Sequence, residues 1–323
     1  MTTRQTGAAL LTAMLTVALV ASMASAALWQ QWRSVEVETA ERTRTQSLWV
    51  LSGALDWARL ILREDARSGG ADHLGEPWAV PLEEARLSTF LAADKNNTVD
   101  GAEASAQIFL SGRITDLQGR MNVLNLVENG KVSAPWLKAF TRLFEQLGLR
   151  ASELSTVAEN LRFAQDHAVQ TSSSLLAPLV PQRVSQLRWL GLSENSLAKL
   201  GGYITVLPVR TPVNLNTASV TVLYACIPTL DLAQAQRLAS SRQTGHFRTL
   251  NDVGKVVAEV ADEVRDAQHS VSSRFFEVHG RLRLDQTVVE EQSVVQREGL
   301  IVTTLWRDRG GGGTPAVKLA PLQ

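Results

Sequence analysis

The side chains best suited to chemistry in this sequence are oxygen donors, and they gather in one short stretch. Asp94, Asn96 and Asp100, with Lys95 and Asn97 among them, precede Gly101. Carboxylate and amide oxygens at such close spacing suit calcium, a hard cation that takes several oxygen ligands. The spacing departs from the twelve-residue calcium loop, because the terminal glutamate and the central glycine are misplaced. A solvated turn is the first expectation here, and calcium is the alternative.

Other reactive groups are scattered. The five histidines occur singly; His246 and His279 can each meet a carboxylate in space, but an isolated imidazole is more often a packing residue. Cys226 has no second cysteine to pair with and is expected to be a small buried apolar side chain. No G-x-S-x-G elbow, H-E-x-x-H helix, phosphate-cradling loop or dinucleotide fingerprint is present, so no catalytic residue is assigned and an enzyme is not expected. Asn214 to Ala218, continuing through Arg242, Gly245, Phe247, Leu250 and Val253, resembles a helix-hairpin-helix or sterile-alpha-motif-like unit. In DNA-binding units of that kind a glycine-rich turn offers backbone N–H groups to phosphate. Here the turn reads Pro228-Thr229-Leu230-Asp231, with no glycine and a carboxylate where phosphate would approach. Lysine plus arginine equals aspartate plus glutamate at 32 each, so no basic surplus attracts nucleic acid either. A structural helix pair is expected, with Asn216 and Thr217 capping the helix that follows.

The elements that must carry these residues begin at the amino terminus. Arg4 and Gly7 close a short leader, after which Ala8 to Trp29 contains no charged residue. In a helix, at about 1.5 Å per residue, that run reaches roughly the thickness of a bilayer core. Arg4 on one side and Trp29 and Trp32 on the other place the amino terminus in the cytoplasm and the bulk of the chain beyond an inner membrane. A cleaved signal peptide ending near Ala24-Ser25-Ala26 is the competing reading. Against it, helix-compatible sequence runs on to about Arg67, and Leu48, Leu51, Leu55, Ala58 and Leu62 recur at spacings of three and four, which puts them on one face.

Farther on, Gly69 to Gly101 is broken by Gly75, Pro77 and Pro81 and is expected to be loop with a short helix. Ile108, Leu110 and Ile114 alternate, Asp116-Leu117-Gln118-Gly119 resembles a turn, and Met121 and Val123 alternate again, so a β-hairpin is predicted across 107–126. Helical patterns follow, including Trp136 to Leu147 and Ser152 to Asp166 with Ser133 and Ser152 as caps. Strand alternation returns at Phe276, Val278, Gly280, Leu282 and Leu284, continues through Val289 to Gln296 and Leu300 to Trp306, and gives way to a glycine-rich tail from Gly310. The fold class is α+β. A long amino-terminal transmembrane and amphipathic helix packs on a small antiparallel, pilin-like sheet, into which a large all-α domain is inserted. The expected boundaries are 1–7 leader, 8–32 transmembrane helix, 33–127 first part of the sheet domain, 128–272 inserted helical domain, 273–309 closing strands and 310–323 tail.

The short leader ending in Gly7 and the apolar helix behind it resemble the type IV prepilin processing motif. The wording from Arg113 through Leu126, together with the overall order of elements, resembles the protein K family of minor pseudopilins in bacterial type II secretion systems. The resemblance implies cleavage between Gly7 and Ala8 by a prepilin peptidase and methylation of the new amino group on Ala8. Most pilins carry a glutamate at the fifth mature position, where this chain has Thr12. That replacement is characteristic of the protein K family, and a threonine hydroxyl can be satisfied on the preceding helical turn without a neighbouring subunit. The resemblance further implies calcium binding and a tip subunit that starts pseudopilus assembly. It also implies proteins I and J as partners, with protein H and the major pseudopilin as further candidates. A minor pilin of a type IV pilus is the alternative function, though such pilins usually keep the glutamate and a disulfide. A periplasmic DNA-binding helix-hairpin-helix protein ranks third.

Overall fold

The computed structural model describes residues 6–87, 108–166, 178–284 and 287–311. One helix, α1 (Thr6–Ser68), fills the first part of the chain. It passes through Gly53 without a break, because helix geometry is held on both sides by good helix formers and Gly53 lies on an exposed turn. Its apolar face works as the spacing predicts: Leu51, Leu55, Ala58 and Leu62 are buried, whereas 9–42 is exposed all round.

That face lies on a five-stranded antiparallel sheet. The strands are β1 (Leu82–Arg86), β2 (Ile108–Asp116), β3 (Phe275–Leu284), β4 (Thr287–Glu298) and β5 (Ile301–Gly311), in spatial order β1-β2-β3-β4-β5. Residues 109, 111 and 113 of β2 point away from α1, while Leu110 is buried beneath it beside Leu51 and Leu282. Phe276, Val278, Val295 and Val302 form the rest of the bed under Leu55, Ala58 and Leu62, with Trp78 closing one side edge-on to Phe276. Gly280 sits where a Cβ would come within 3.1 Å of Leu51 Cδ2, so the helix approaches the sheet most closely there.

Between β2 and its neighbour β3 the chain leaves the sheet for a block of short helices: α2 (Ala134–Gln146), α3 (Ala151–Gln165), α4 (Glu194–Leu200), α5 (Val220–Cys226), α6 (Leu232–Thr244) and α7 (Asn251–Val256). They share one apolar core around Phe140, Leu143, Leu161, Leu187, Leu223 and Leu238.

Several expectations are corrected. No hairpin forms across 107–126: β2 ends at Asp116, Leu117–Gly119 is a 3₁₀ turn, and Met121–Asn122 pairs in parallel with Ile204–Thr205 of the helical block. The tight hairpin lies just beyond, where Asn129 and Gly130 both take positive φ and join Val127–Glu128 to Lys131–Val132. The 69–101 segment contains β1, which the prolines precede without interrupting. Ser133 occupies the cap of α2 but its hydroxyl makes no cap bond, and α3 starts at Ala151, so Ser152 is inside its first turn. Gly310 and Gly311 are not tail: they pair with Glu290 and Val289.

Candidate functional site, a bare helix and a buried polar junction

Two features of α1 and its surroundings depart from ordinary globular packing. The first is the bare part of the helix. The stretch from Ala9 onward includes a window of mean hydropathy 2.0 with none of it buried, long and apolar enough to cross a membrane. Gly7 and Ala8 lie in the first turn of this helix. Thr12 Oγ1 donates to Ala9 O at 2.9 Å, so the hydroxyl is satisfied on its own helix. Beyond the apolar window, Trp49 stays 75% exposed and Leu60 42% exposed on the side of α1 turned from the sheet, while Trp57, at 42%, borders the groove between α1 and β2. Because such side chains are costly to leave in water, this continuation of the apolar helix is a surface suited to being covered.

The second feature is the joint between the sheet and the helical block, which is built from polar side chains at burial depths usually reserved for apolar ones. Asp116, the last residue of β2, accepts from Gln118 N at 2.7 Å through one oxygen. Its other oxygen accepts from Asn214 Nδ2 at 3.0 Å, Thr217 Oγ1 at 2.6 Å and Ser273 Oγ at 2.6 Å. Burial pushes its carboxyl above the usual range even though all four donors pull it down. Asp72, in the loop after α1, accepts from Ser273 N at 2.7 Å and from Arg297 Nη2 at 2.5 Å. Arg297 also reaches Asp65 on α1 at 2.5 Å, so one guanidinium ties the helix, the loop and β4 together.

Amides complete the seam. Gln118 Nε2 donates to Pro212 O and Gln118 Oε1 accepts from Arg274 N, at 3.2 and 2.7 Å. Asn122 donates to Val209 O, and Asn125 exchanges two bonds with the backbone of Thr211. Gly119 is required by proximity, since a Cβ there would lie 2.8 Å from Thr217 Oγ1. Across the same joint the rings of His73 and His246 stack with centroids 3.8 Å apart. On the other side of the sheet, Arg183 of the helical block meets Asp308 at 2.5 Å and lies over the ring of Trp306.

The predicted chemistry redistributes accordingly. Asn216 and Thr217 do not cap α5; Ser219 does, because Asn216 is drawn onto the backbone of Phe247 and Thr217 onto Asp116. Asp231 in the helix-hairpin-helix turn caps α6, with Gln234 returning the bond, so its carboxylate is spent on the helix. Arg242 is turned inward onto Leu215 O, and burial pulls its pKa down to about 10. Cys226 is buried and its thiol is pushed up to about 12 by that burial. His279 lies 3.9 Å from Glu290 across neighbouring strands, at contact distance without a hydrogen bond. Asp94, Asn96 and Asp100 lie outside the described residues. Among the described residues, Asp65, Asp72 and Glu76 bring three carboxylates close together. Each already has donors: Arg297 for Asp65 and Asp72, and His73 N and Trp78 Nε1 for Glu76. The guanidinium supplies the positive charge that a metal would bring.

Comparison with known proteins places this architecture. Residues 119–209 and 213–272 match the family described as type II secretion system (T2SS), protein K. A Pseudomonas aeruginosa relative named type II secretion system protein K is 29% identical, over 96% of this chain and 95% of that one. A Pectobacterium carotovorum relative of the same name is 24% identical over 96% of this chain and 98% of its own length. Among solved structures, a chain of the GspK-GspI-GspJ complex from the type 2 secretion system of enterotoxigenic Escherichia coli is similar in fold. Its TM-score is 0.63 at 20% identity, covering 84% of this chain and 98% of that one.

Proposed function

We propose, from the premise that this chain belongs to the type II secretion system protein K family and is a minor pseudopilin, that it caps the tip of a pseudopilus. It is a structural subunit and not an enzyme. The observation that supports the tip position is where the helical block is mounted. The Asp72 and Asp116 joint lies at the end of α1 farthest from the apolar window, just past Ser68. A 63-residue helix is about 95 Å long, so the block stands well away from the membrane. A subunit added beyond it would meet the helical block before it could lay its own helix beside α1.

The bare side of α1 is then the surface for neighbours that share the membrane. The occupants proposed are the minor pseudopilins I and J, the partners named in the solved complex, with protein H and the major pseudopilin below them. In this reading the span lies in the inner membrane, the amino terminus is cytoplasmic, and a prepilin peptidase cuts between Gly7 and Ala8 and leaves a methylated Ala8. Thr12 fits a subunit that presents no carboxylate to a neighbour's amine. Cys226 is buried and held as a thiol, so a cysteine placed at Trp49 provides the reactive probe. Crosslinking from Trp49→Cys in membranes is expected to trap one or two minor subunits at about one copy each. A ladder of major-subunit adducts would overturn the tip position, and an unprocessed amino terminus by intact mass would overturn the cleavage site.

A further inference from the structure

We propose that the joint between the sheet and the helical block is a proton-linked latch, which takes up protons as it closes and loosens as the medium turns alkaline. The geometry carries this through an imbalance of charge. Asp65, Asp72, Glu76 and Asp116 converge on the joint, and the guanidinium of Arg297 pairs with the first two. All four donors to Asp116 are neutral groups. Ser273 links the two halves, giving its N–H to Asp72 and its hydroxyl to Asp116, so the two carboxylates feel each other across one residue. Glu76 adds a third acid, accepting from His73 N at 2.9 Å and Trp78 Nε1 at 2.7 Å. Four carboxylates around one guanidinium cannot all stay ionised at low cost away from water, because like charges at short range favour a shared proton.

Among the described residues, the titratable and charged groups at the joint come from every part that meets here. Asp65 comes from α1, Asp72, His73 and Glu76 from the loop after it, Asp116 from the end of β2, Arg297 from β4 and His246 from the helical block. Burial raises Asp72 to about 6, against the pull of Arg297, and raises Glu76 to about 7. Opening the joint to water returns both toward ordinary carboxylate values. The closed form therefore binds more protons than the open one. It is favoured as pH falls through about 7 toward 6, and that contribution is lost as pH rises through the same range. His73 acts in the opposite sense. Burial, and then His246, lower the pKa of His73, so closure disfavours its proton and weakens once pH drops below the ordinary histidine range. That opposition amounts to at most one proton against the two of Asp72 and Glu76, so net closure goes on strengthening below pH 6, toward the ordinary carboxylate range.

The test uses the full chain in detergent micelles, with hydrogen exchange corrected for its intrinsic pH dependence and read between pH 6 and pH 8.5. Peptides covering 114–126, 213–218 and 270–275 report the latch, and peptides from β4 and β5 report the sheet. One proton per pH unit corresponds to a tenfold change, so protection of the latch peptides is expected to fall about tenfold or more toward pH 8.5 while the sheet holds. Glu76→Gln keeps the acceptor for Trp78 and is half-buried, so it leaves the fold intact and is expected to flatten the slope. Asp72→Asn serves as a second variant with the same expectation. Latch protection equal at both pH values, or a slope retained in Glu76→Gln, overturns the proposal.

Discussion

The two faces that the sheet offers its neighbours are held by opposite means. Under α1 the contact is apolar, Leu51, Leu55, Ala58 and Leu62 against Phe276, Val278, Leu282, Val295 and Val302. Toward the helical block a small apolar cluster, Leu207 against Leu117, Phe275 and Val294, is flanked by a seam of carboxylates, amides and hydroxyls. Apolar packing supplies adhesion and tolerates small displacements. Hydrogen bonds of 2.6 to 2.7 Å between buried groups tolerate very little, so the seam fixes orientation. Even α1 follows this division, because polar contacts mark its margin along β5. Arg59 donates twice to Val302 O, at 2.7 and 2.9 Å, and Ser52 accepts from Arg307. Arg307 Nε lies 3.1 Å from buried Glu291 but is misaligned for a hydrogen bond, while Arg309 completes that pair at 2.8 Å.

The sharpest way to break the comparison is Asp116→Ala. It strands four donors and is expected to cost roughly 4 kcal/mol, with loss of protection in the helical block before the sheet. Denaturant unfolding followed by segment-resolved exchange checks this; simultaneous loss of both parts would mean the seam is not a separate unit. Leu62→Ala removes a fully buried side chain and is expected to cost about 3 kcal/mol, read from the same unfolding curves, while the Asp116 seam stays protected. Gly119→Ala drives a methyl against Thr217 Oγ1 and the Thr217 carbonyl and is expected to cost about 2 kcal/mol, read from the same unfolding curves. Trp49→Ala is expected to shift stability by less than about 0.5 kcal/mol, since the side chain meets solvent, yet to reduce recovery of minor subunits from membranes severalfold.

How much of this was legible beforehand follows the range over which each pattern acts. The face of α1 was readable because Leu51, Leu55, Ala58 and Leu62 are one to three turns apart, and β3 because Phe276, Val278 and Leu282 alternate with charged residues. The Asp116-Leu117-Gln118-Gly119 stretch is the turn its composition suggests, but it does not fold the chain back onto β2 as a hairpin. Its glycine instead admits Thr217, and its acid and amide serve partners far along the chain. The genuine hairpin carried the stronger local signal, Asn129-Gly130, with φ of 51° and 73°. The seam itself has no local period, since Asp72, Asp116, Asn214, Ser273 and Arg297 converge only after folding. One trace was available: Asn122, Asn125 and Asn214 each sit between apolar neighbours, where an amide must find a buried partner.

The unbroken course of α1 has a mechanical consequence. Residues 9–42 are exposed all round, and the buried grip on the sheet begins near Ser47 and ends at Asp65. Tension applied along the membrane span therefore loads that grip in shear, parallel to the helix axis. In shear the apolar face and the contacts of Arg59 and Asp65 must yield together, whereas a sideways pull would peel them one after another. The helix is a tow bar: it can draw the sheet and the block behind it along its own axis with little risk of coming loose.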